Sequence, residues 1–237
     1  MNPHDSLLSL PLGSFLDLLA SPDEPAPAGG STAALVAAAS ASLLILVCRV
    51  TQRRAEGPRE FGSLLSRAQA LKARLAGMID SDAEAFRNLT AVRRLPQRDP
   101  NERTTRRVAV RQALSRATHS PLEIAAACAD LVAIADRVES LATGEIVSDA
   151  RVARHLARAA LLCSLDTVEQ NLPHVREPEQ RAQMEQELAR LRGRPDGAHL
   201  VLRHPVRVVD VVRQEVGSRA LQGDKGHEQL AARDLLS

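Results

Sequence analysis

Three carboxylates lie within the short segment 79–86, whose flanks are strongly apolar. The apolar positions recur at three- and four-residue steps, which predicts a helix, and on a helix Asp82 shares a face with Met78 and Phe86. That face is expected to be buried, and a buried carboxylate is costly unless it is paired or used. The segment therefore allows two interpretations, a structural ion-paired Asp82 or an acid/base group, and local sequence does not decide between them.

A Pro/Gly-rich loop, residues 22–30, leads into a long apolar segment. Gly29 and Gly30 would let the backbone approach a ligand closely, and the free N–H groups and dipole of a helix start favour an anion. Ser31 is placed to cap that helix. Taken alone, the loop is more often a structural entry into a buried helix than a binding site.

Arginine supplies 29 of the 31 basic side chains, and nine arginines fall between Arg87 and Arg116 against two acids. Such a run is usually a solvated face, although Arg also suits phosphates and carboxylates. The net charge of only +2 argues against wholesale binding to nucleic acid or membrane. The chain has no Trp or Tyr and three Phe, which disfavours a base-stacking platform.

The elements that must position these residues are helices. The hydrophobic fraction of 44% is mainly Ala, Leu and Val, and the periodicity predicts an all-α bundle of long helices around a buried Ala/Leu-rich helix. We expect a helical domain over residues 1–194 and a small C-terminal extension of unassigned structure over 195–237. The predicted helices end at residue 20 and span about 31–54, 59–93, 101–141 with a kink or restart at Pro121, 148–171 and 178–192, with Asn101 capping the fourth.

The remaining features favour a cytoplasmic protein without a metal. The longest apolar run, 33–48, is shorter than the roughly 20 residues of a membrane span, so a buried helix is the better interpretation. The N-terminus lacks the features of a signal peptide. The histidines are scattered, with no ligand spacing. We expect Cys48, Cys128 and Cys163 to be small buried apolar residues of a reducing compartment.

Several segments, in a fixed order, together resemble one known family. They are PAPAGGSTAALVAA (25–38), IDSDAEAF (79–86), RLPQ (94–97), Arg106-Arg107, SPL (120–122), SDA (148–150) and Asn171. Their counterparts include a PAPGGGS loop, a D-x-D-A-x-A-F segment, R-L-P-K and V-P-L. Over roughly residues 6–192 the chain resembles the formimidoyltetrahydrofolate cyclodeaminase / methenyltetrahydrofolate cyclohydrolase family.

The resemblance implies an all-helical homodimer that binds a one-carbon tetrahydrofolate as its substrate and needs no metal. It implies that Asp82 is the catalytic acid/base. Arg53, Arg54 or Arg94 would hold the carboxylates of the folate tail, because Arg binds carboxylates through two parallel hydrogen bonds. The full set of expected substrate-binding residues is Gly29, Gly30, Ser31, Arg53, Arg54, Phe86, Arg94 and Asp149.

The expected reaction is hydrolysis of 5,10-methenyltetrahydrofolate to 10-formyltetrahydrofolate, favoured because the chain carries no transferase segment. Two alternatives remain open. One is cyclodeamination of formimidoyltetrahydrofolate with release of ammonia. The other is a non-catalytic folate-binding or scaffold protein, suggested because Ala28 and Glu145 depart from the Gly and Asn of the family pattern.

Overall fold

The structure, a computed structural model, describes residues 6–23, 25–53 and 59–193. Within these ranges the chain is helical, without strands, which confirms the predicted all-α class. Short 3₁₀ turns precede α1 and flank α5. The helices are α1 (Leu12–Ala20), α2 (Gly29–Arg53), α3 (Phe61–Arg93), α4 (Pro100–Leu141), α5 (Val147–Asn171) and α6 (Pro178–Arg192). Arg54 and the predicted extension 195–237 lie outside the described residues.

Helices α2 and α3 run antiparallel. At one end of the pair Gly62 lies beside the side-chain amide of Gln52, and at the other end Ser31 hydrogen-bonds Asp82. The N-terminus of α2 therefore meets the C-terminal half of α3. This pairing brings the Gly-rich loop to the acidic segment, although 51 residues separate the two bonded side chains.

Helix α4 runs antiparallel to α3 in the same way. Arg137 donates two hydrogen bonds to Glu60, which precedes α3, and Ser120 donates one to Asp82. Helix α5 then returns along α4 and also lies against α2. Helices α2 to α5 form an up-down-up-down four-helix bundle, the arrangement expected when successive helices pack as antiparallel neighbours.

Helix α2 lies in the centre of this core, as its composition predicts. Its small residues allow close approach, and Ser40 Oγ donates to the Ala153 carbonyl of α5 at 2.7 Å. The helix, with mean hydropathy 2.2 over its most apolar window, is also long and apolar enough to cross a membrane, and 56% of that window is buried within the bundle. A buried core helix meets the same criterion of length and composition.

Helix α4 is continuous through Pro121, so of the two expected outcomes, a kink or a restart, the restart is wrong. Proline has no N–H, and the carbonyl of Ala117, four residues earlier, therefore lacks its helical donor. The side chain of Asn171 donates to that carbonyl at 3.2 Å. The hydrogen bond that the proline removes from α4 is thus replaced by one from the end of α5.

Two predicted helix caps are also wrong. The Ala28 carbonyl accepts from the Thr32 N–H, so α2 has begun before Ser31, whose hydroxyl is free to bond elsewhere. At α4 the cap is Asp99, which accepts from the Glu102 N–H at 2.8 Å, followed by a proline at the first helical position. Asn101 lies inside the first turn.

The three cysteines are free thiols, and two of them lie in the core. Burial raises the pKa of Cys48 to about 11 and that of Cys128 to about 12, which keeps both protonated near neutral pH. Cys163 is exposed, contrary to the expectation that it is buried, because its position on α5 faces away from the bundle.

Candidate functional site

The Asp82 carboxylate lies where three helices meet. Its side chain projects from α3, and the residue is only 8% exposed. Ser31 Oγ of α2 donates to Oδ2 at 3.0 Å, and Ser120 Oγ of α4 donates to Oδ1 at 3.0 Å. No ion pair to Asp82 is found within the described ranges, so the interpretation as a structural ion-paired residue is not supported. One hydroxyl donor on each oxygen holds this carboxylate in a defined orientation.

Gly30 makes this arrangement possible. A Cβ atom at Gly30 would overlap the carboxylate of Asp82, so only glycine allows the acid to approach the first turn of α2. Gly29, one residue earlier, is different: a Cβ there would meet nothing within 4 Å, and the residue is exposed. The two glycines of the loop therefore have different roles, one making room for the acid and one leaving open space.

Burial raises the pKa of Asp82 above the ordinary value for an aspartate. Hydrogen bonds from the hydroxyls of Ser31 and Ser120 and from the Ser31 N–H act in the opposite direction, because they favour the ionised form. That N–H belongs to the first turn of α2, where the N–H groups have no carbonyl acceptor within their own helix. Burial thus raises the pKa of a carboxylate that keeps a hydroxyl donor on each oxygen, a combination suited to proton transfer.

The other two carboxylates of the segment, Asp80 and Glu84, have environments different from that of Asp82. Ser6 Oγ and the Leu7 N–H donate to Asp80 at 2.6 and 2.7 Å, which fastens the N-terminal turn to α3. Glu84 is exposed. The acidic segment therefore contains one structural carboxylate, one solvated carboxylate and one buried carboxylate, Asp82.

Phe86 and Arg94 follow Asp82 along α3. Phe86 lies one turn later and is 37% exposed, so the expectation that it faces the core is wrong: it presents an aromatic side chain at the surface near Asp82. Arg94 caps the end of α3 and is exposed. Twelve residues of helix separate Arg94 from Asp82, or about 18 Å.

Arg53 and Asp149 do not join this cluster within one chain. Arg53 ends α2, 22 residues after Ser31, or about 33 Å along the helix. Asp149 precedes Ala153, whose partner Ser40 is already about 14 Å from Ser31. The antiparallel packing places both toward the other end of the bundle, and their binding roles stay predictions. The predicted role of Arg54 lies outside the described residues.

Ser120 is the residue that sequence reasoning missed. It lies in the matched SPL segment, but its contact with Asp82 spans 38 residues and depends on the register between α3 and α4. No local pattern carries that register. The available signal was a hydroxyl in place of the Val of the family's V-P-L stretch.

A cleft of about 830 Å³ lies between α3, α4 and α6 and reaches Ser120. Its charged lining contains Glu84, Glu123 and Glu187 against Arg116, with His119 beside them. This balance suits an anionic ligand poorly. Within residues 6–23, 25–53 and 59–193 no group of three or more His, Cys, Asp or Glu side chains is placed to hold a metal.

Comparison with known families decides the relationship. The family described as formiminotransferase-cyclodeaminase matches residues 11–190. The chain belongs to this family. The match spans α1 to α6 nearly completely and includes the loop before α2, Asp82 and Ser120. The family resemblance read from the sequence is thereby confirmed.

Two named proteins are similar to this member of the formiminotransferase-cyclodeaminase family. The chain is 33% identical over 151 residues to methenyltetrahydrofolate cyclohydrolase of Methylorubrum extorquens, covering 62% of this chain and 72% of that protein. It is 32% identical over 158 residues to formimidoyltransferase-cyclodeaminase of Rattus norvegicus, covering 64% of this chain and 28% of that protein. The chain thus matches less than a third of the rat protein.

A solved structure supports the fold. The crystal structure of formiminotetrahydrofolate cyclodeaminase from Thermotoga maritima superposes with a TM-score of 0.67 at 22% identity, covering 78% of this chain and 89% of that one. The all-helical architecture is therefore shared.

Proposed function

We propose that this protein hydrolyses 5,10-methenyltetrahydrofolate to 10-formyltetrahydrofolate, with Asp82 as the general base and acid. The observation that carries the proposal is the buried Asp82 carboxylate, which two hydroxyls orient at the N-terminus of α2 and whose pKa burial raises. The 33% identity to the Methylorubrum extorquens cyclohydrolase supports this reaction over others.

The chemistry needs one group that takes and returns a proton. Water attacks the amidinium carbon between N5 and N10, and Asp82 removes one of its protons as the C–O bond forms. The tetrahedral intermediate then collapses to a carbonyl, the C–N5 bond breaks, and the protonated Asp82 returns its proton to N5. The second water proton leaves to solvent. A carboxylate beside the cationic substrate also stabilises its positive charge.

The surface next to Asp82 fits a flat ligand. Gly29 leaves open space at the start of α2, and Phe86 exposes an aromatic side chain one turn from the acid. We infer that the pterin lies over this end of α2. The folate tail would extend along α3 toward the exposed Arg94, since the acidic cleft beside α6 is unsuited to its carboxylates.

Cyclodeamination of formimidoyltetrahydrofolate is the second candidate. It is supported by the names of the rat and Thermotoga maritima proteins. There N10 would close onto the formimino carbon, and Asp82 would donate the proton that lets ammonia depart. The same residue would therefore serve both reactions. They are distinguished by assaying the two substrates and not by substituting Asp82.

We also propose a homodimer formed through α2 and α5. Leu46 of α2 is 45% exposed and Val152 of α5 is 48% exposed, and the Ser40–Ala153 hydrogen bond shows that the two helices lie side by side. In a dimer whose α2 helices cross antiparallel, each N-terminus lies near its partner's C-terminus. Arg53 of the partner subunit would then approach the Asp82 end of the bundle, which it does not reach in one chain.

The test is steady-state turnover of Asp82→Asn. We expect kcat/KM for methenyltetrahydrofolate to fall about 10²–10⁴-fold, because general acid/base catalysis is worth that much. The assay follows loss of the methenyl group, beside a parallel assay of ammonia release from formimidoyltetrahydrofolate. The melting temperature at neutral pH should be no lower than that of the wild type.

The matched control is Asp17→Asn, which makes the same charge change at an exposed position of α1. It should leave both assays unchanged. Near-normal turnover in Asp82→Asn would overturn the catalytic role assigned to Asp82. If the wild-type protein releases ammonia from formimidoyltetrahydrofolate but does not hydrolyse methenyltetrahydrofolate, the protein is a cyclodeaminase and the proposed hydrolysis is wrong. A wild type that binds folate in a titration but turns over neither substrate would favour the non-catalytic alternative.

A further inference from the structure

The hydroxyl of the half-buried Ser120 does not bond to its own helix, unlike three of the buried hydroxyls of the bundle. Thr51, Thr118 and Ser164 each donate to the carbonyl four residues earlier in their own helix, at 2.8–2.9 Å. This is the usual partner of a helical Ser or Thr. Ser120 instead donates across the bundle to Asp82 Oδ1 at 3.0 Å. Its direction is therefore set by the acid and not by its own backbone.

The backbone around Ser120 is fastened from two sides. Pro121 follows it directly and leaves the Ala117 carbonyl without a helical donor, and Asn171 of α5 donates to that carbonyl. The anchor lies less than one turn before Ser120. The position of the hydroxyl relative to Asp82 is consequently held by three helices rather than by α4 alone.

We propose that Ser120 is a positioning residue, which holds the Asp82 carboxylate in the orientation and ionised form that the reaction uses. The inference rests on the proposed function for its catalytic consequence. With Ser31 on Oδ2 and Ser120 on Oδ1, the carboxylate cannot rotate without losing a bond.

Other charged groups around Asp82 do not duplicate this effect. The first two turns of α2, residues 29–36, carry no titratable side chain. On α4, His119 is exposed and lies 3.9 Å from Glu123, and Arg116 is exposed. On α3, Asp80 is bound by the N-terminal turn. The two hydroxyls and the Ser31 N–H are therefore the groups that favour the ionised form of Asp82, and they partly offset the burial that raises its pKa.

The experiment compares Ser120→Ala and Ser120→Thr with Ser164→Ala as the matched control. Ser164 is a buried helical serine whose hydroxyl has no contact with Asp82. Carbon-13 NMR of the side-chain carboxyls follows the titration of Asp82 directly. We expect Ser120→Ala to raise the Asp82 midpoint by about one pH unit, a tenfold increase in proton affinity. The acidic limb of the pH profile of kcat/KM should shift to higher pH by the same amount.

Ser120→Thr should keep the wild-type Asp82 midpoint and the wild-type pH profile of kcat/KM, because threonine retains the hydroxyl. Ser164→Ala should lower the melting temperature without moving the Asp82 midpoint, as any merely structural loss would. An unchanged midpoint in Ser120→Ala would overturn the proposal. A wild type inactive on folates would instead overturn the proposed function, since the NMR titration tests Ser120 independently of turnover.

Discussion

At the scale of single residues, the cost of burying Asp82 is the central fact. Because its folded pKa is raised above the unfolded value, its contribution to stability is complete below the unfolded pKa and is lost as pH rises through the folded pKa. Ionisation of Asp82 therefore costs the fold stability despite the hydrogen bonds to the carboxylate. This is why Asp82→Asn should fold well while losing activity, a trade typical of functional sites.

The two glycines before Ser31 make a matched pair of variants. Gly30→Ala places a Cβ against the Asp82 carboxylate, so the acid must move and its bond to Ser31 is lost. We expect kcat to fall at least tenfold. Gly29→Ala meets open space, so its melting temperature should equal that of the wild type while KM for the folate rises, because the pterin is proposed to lie there. Steady-state kinetics and thermal unfolding check both.

The reverse pattern would count against this site. If Gly30→Ala were fully active, close approach of Asp82 to α2 would have no part in turnover. If Gly29→Ala left KM unchanged, the substrate would have to lie elsewhere than on the start of α2.

At the scale of elements, the hydrogen bond from Asn171 of α5 to the Ala117 carbonyl of α4 has the clearest energetic consequence. A buried helix that contains proline leaves one carbonyl without its donor, and an unsatisfied carbonyl is costly. Asn171 meets that need from a different helix. The proline and the asparagine therefore act as a pair that fixes how α5 lies along α4, close to Ser120.

A double-mutant cycle tests this pairing. Asn171→Ala should lower the free energy of unfolding by about 1–3 kcal/mol, since it leaves the Ala117 carbonyl unpaired. In a Pro121→Ala background the helix supplies its own N–H, so the same change should cost clearly less. Chemical denaturation of the four proteins gives the coupling. Equal costs in both backgrounds would show that the two residues act independently.

At the scale of the whole molecule, α2 and α5 each expose a large apolar side chain, Leu46 and Val152, on helices that lie side by side. Helix α2 is apolar on all sides, yet a single bundle leaves part of it uncovered. In the proposed dimer, a second copy of the chain would cover that surface and bring the opposite ends of two α2 helices together. The proposed dimer thus explains both the composition of α2 and the separation of Arg53 from Asp82.

Leu46→Glu is the corresponding variant. Burying an unpaired charge in an apolar interface costs several kcal/mol, so we expect the dimer dissociation constant to rise at least about tenfold. The matched control is Leu12→Glu, at a leucine of α1 that is 67% exposed. Light scattering across a dilution series measures both. Dissociation caused by Leu12→Glu alone would place the interface on α1 instead.

The sequence by itself determined the helices and the candidate acid. Apolar periodicity, prolines and glycines act over a few residues, so α2 to α6 could be predicted nearly to their ends, and a lone acid on an apolar helix face marked Asp82. Only the tertiary structure decided what surrounds it: the serines on its two oxygens, the use of Asp80 by the N-terminal turn, the distance of Arg53, and the exposure of Phe86 and Cys163. These depend on the register between helices whose contacting residues are 38 to 74 positions apart. Such a register is set by packing of the whole core, which no local pattern encodes.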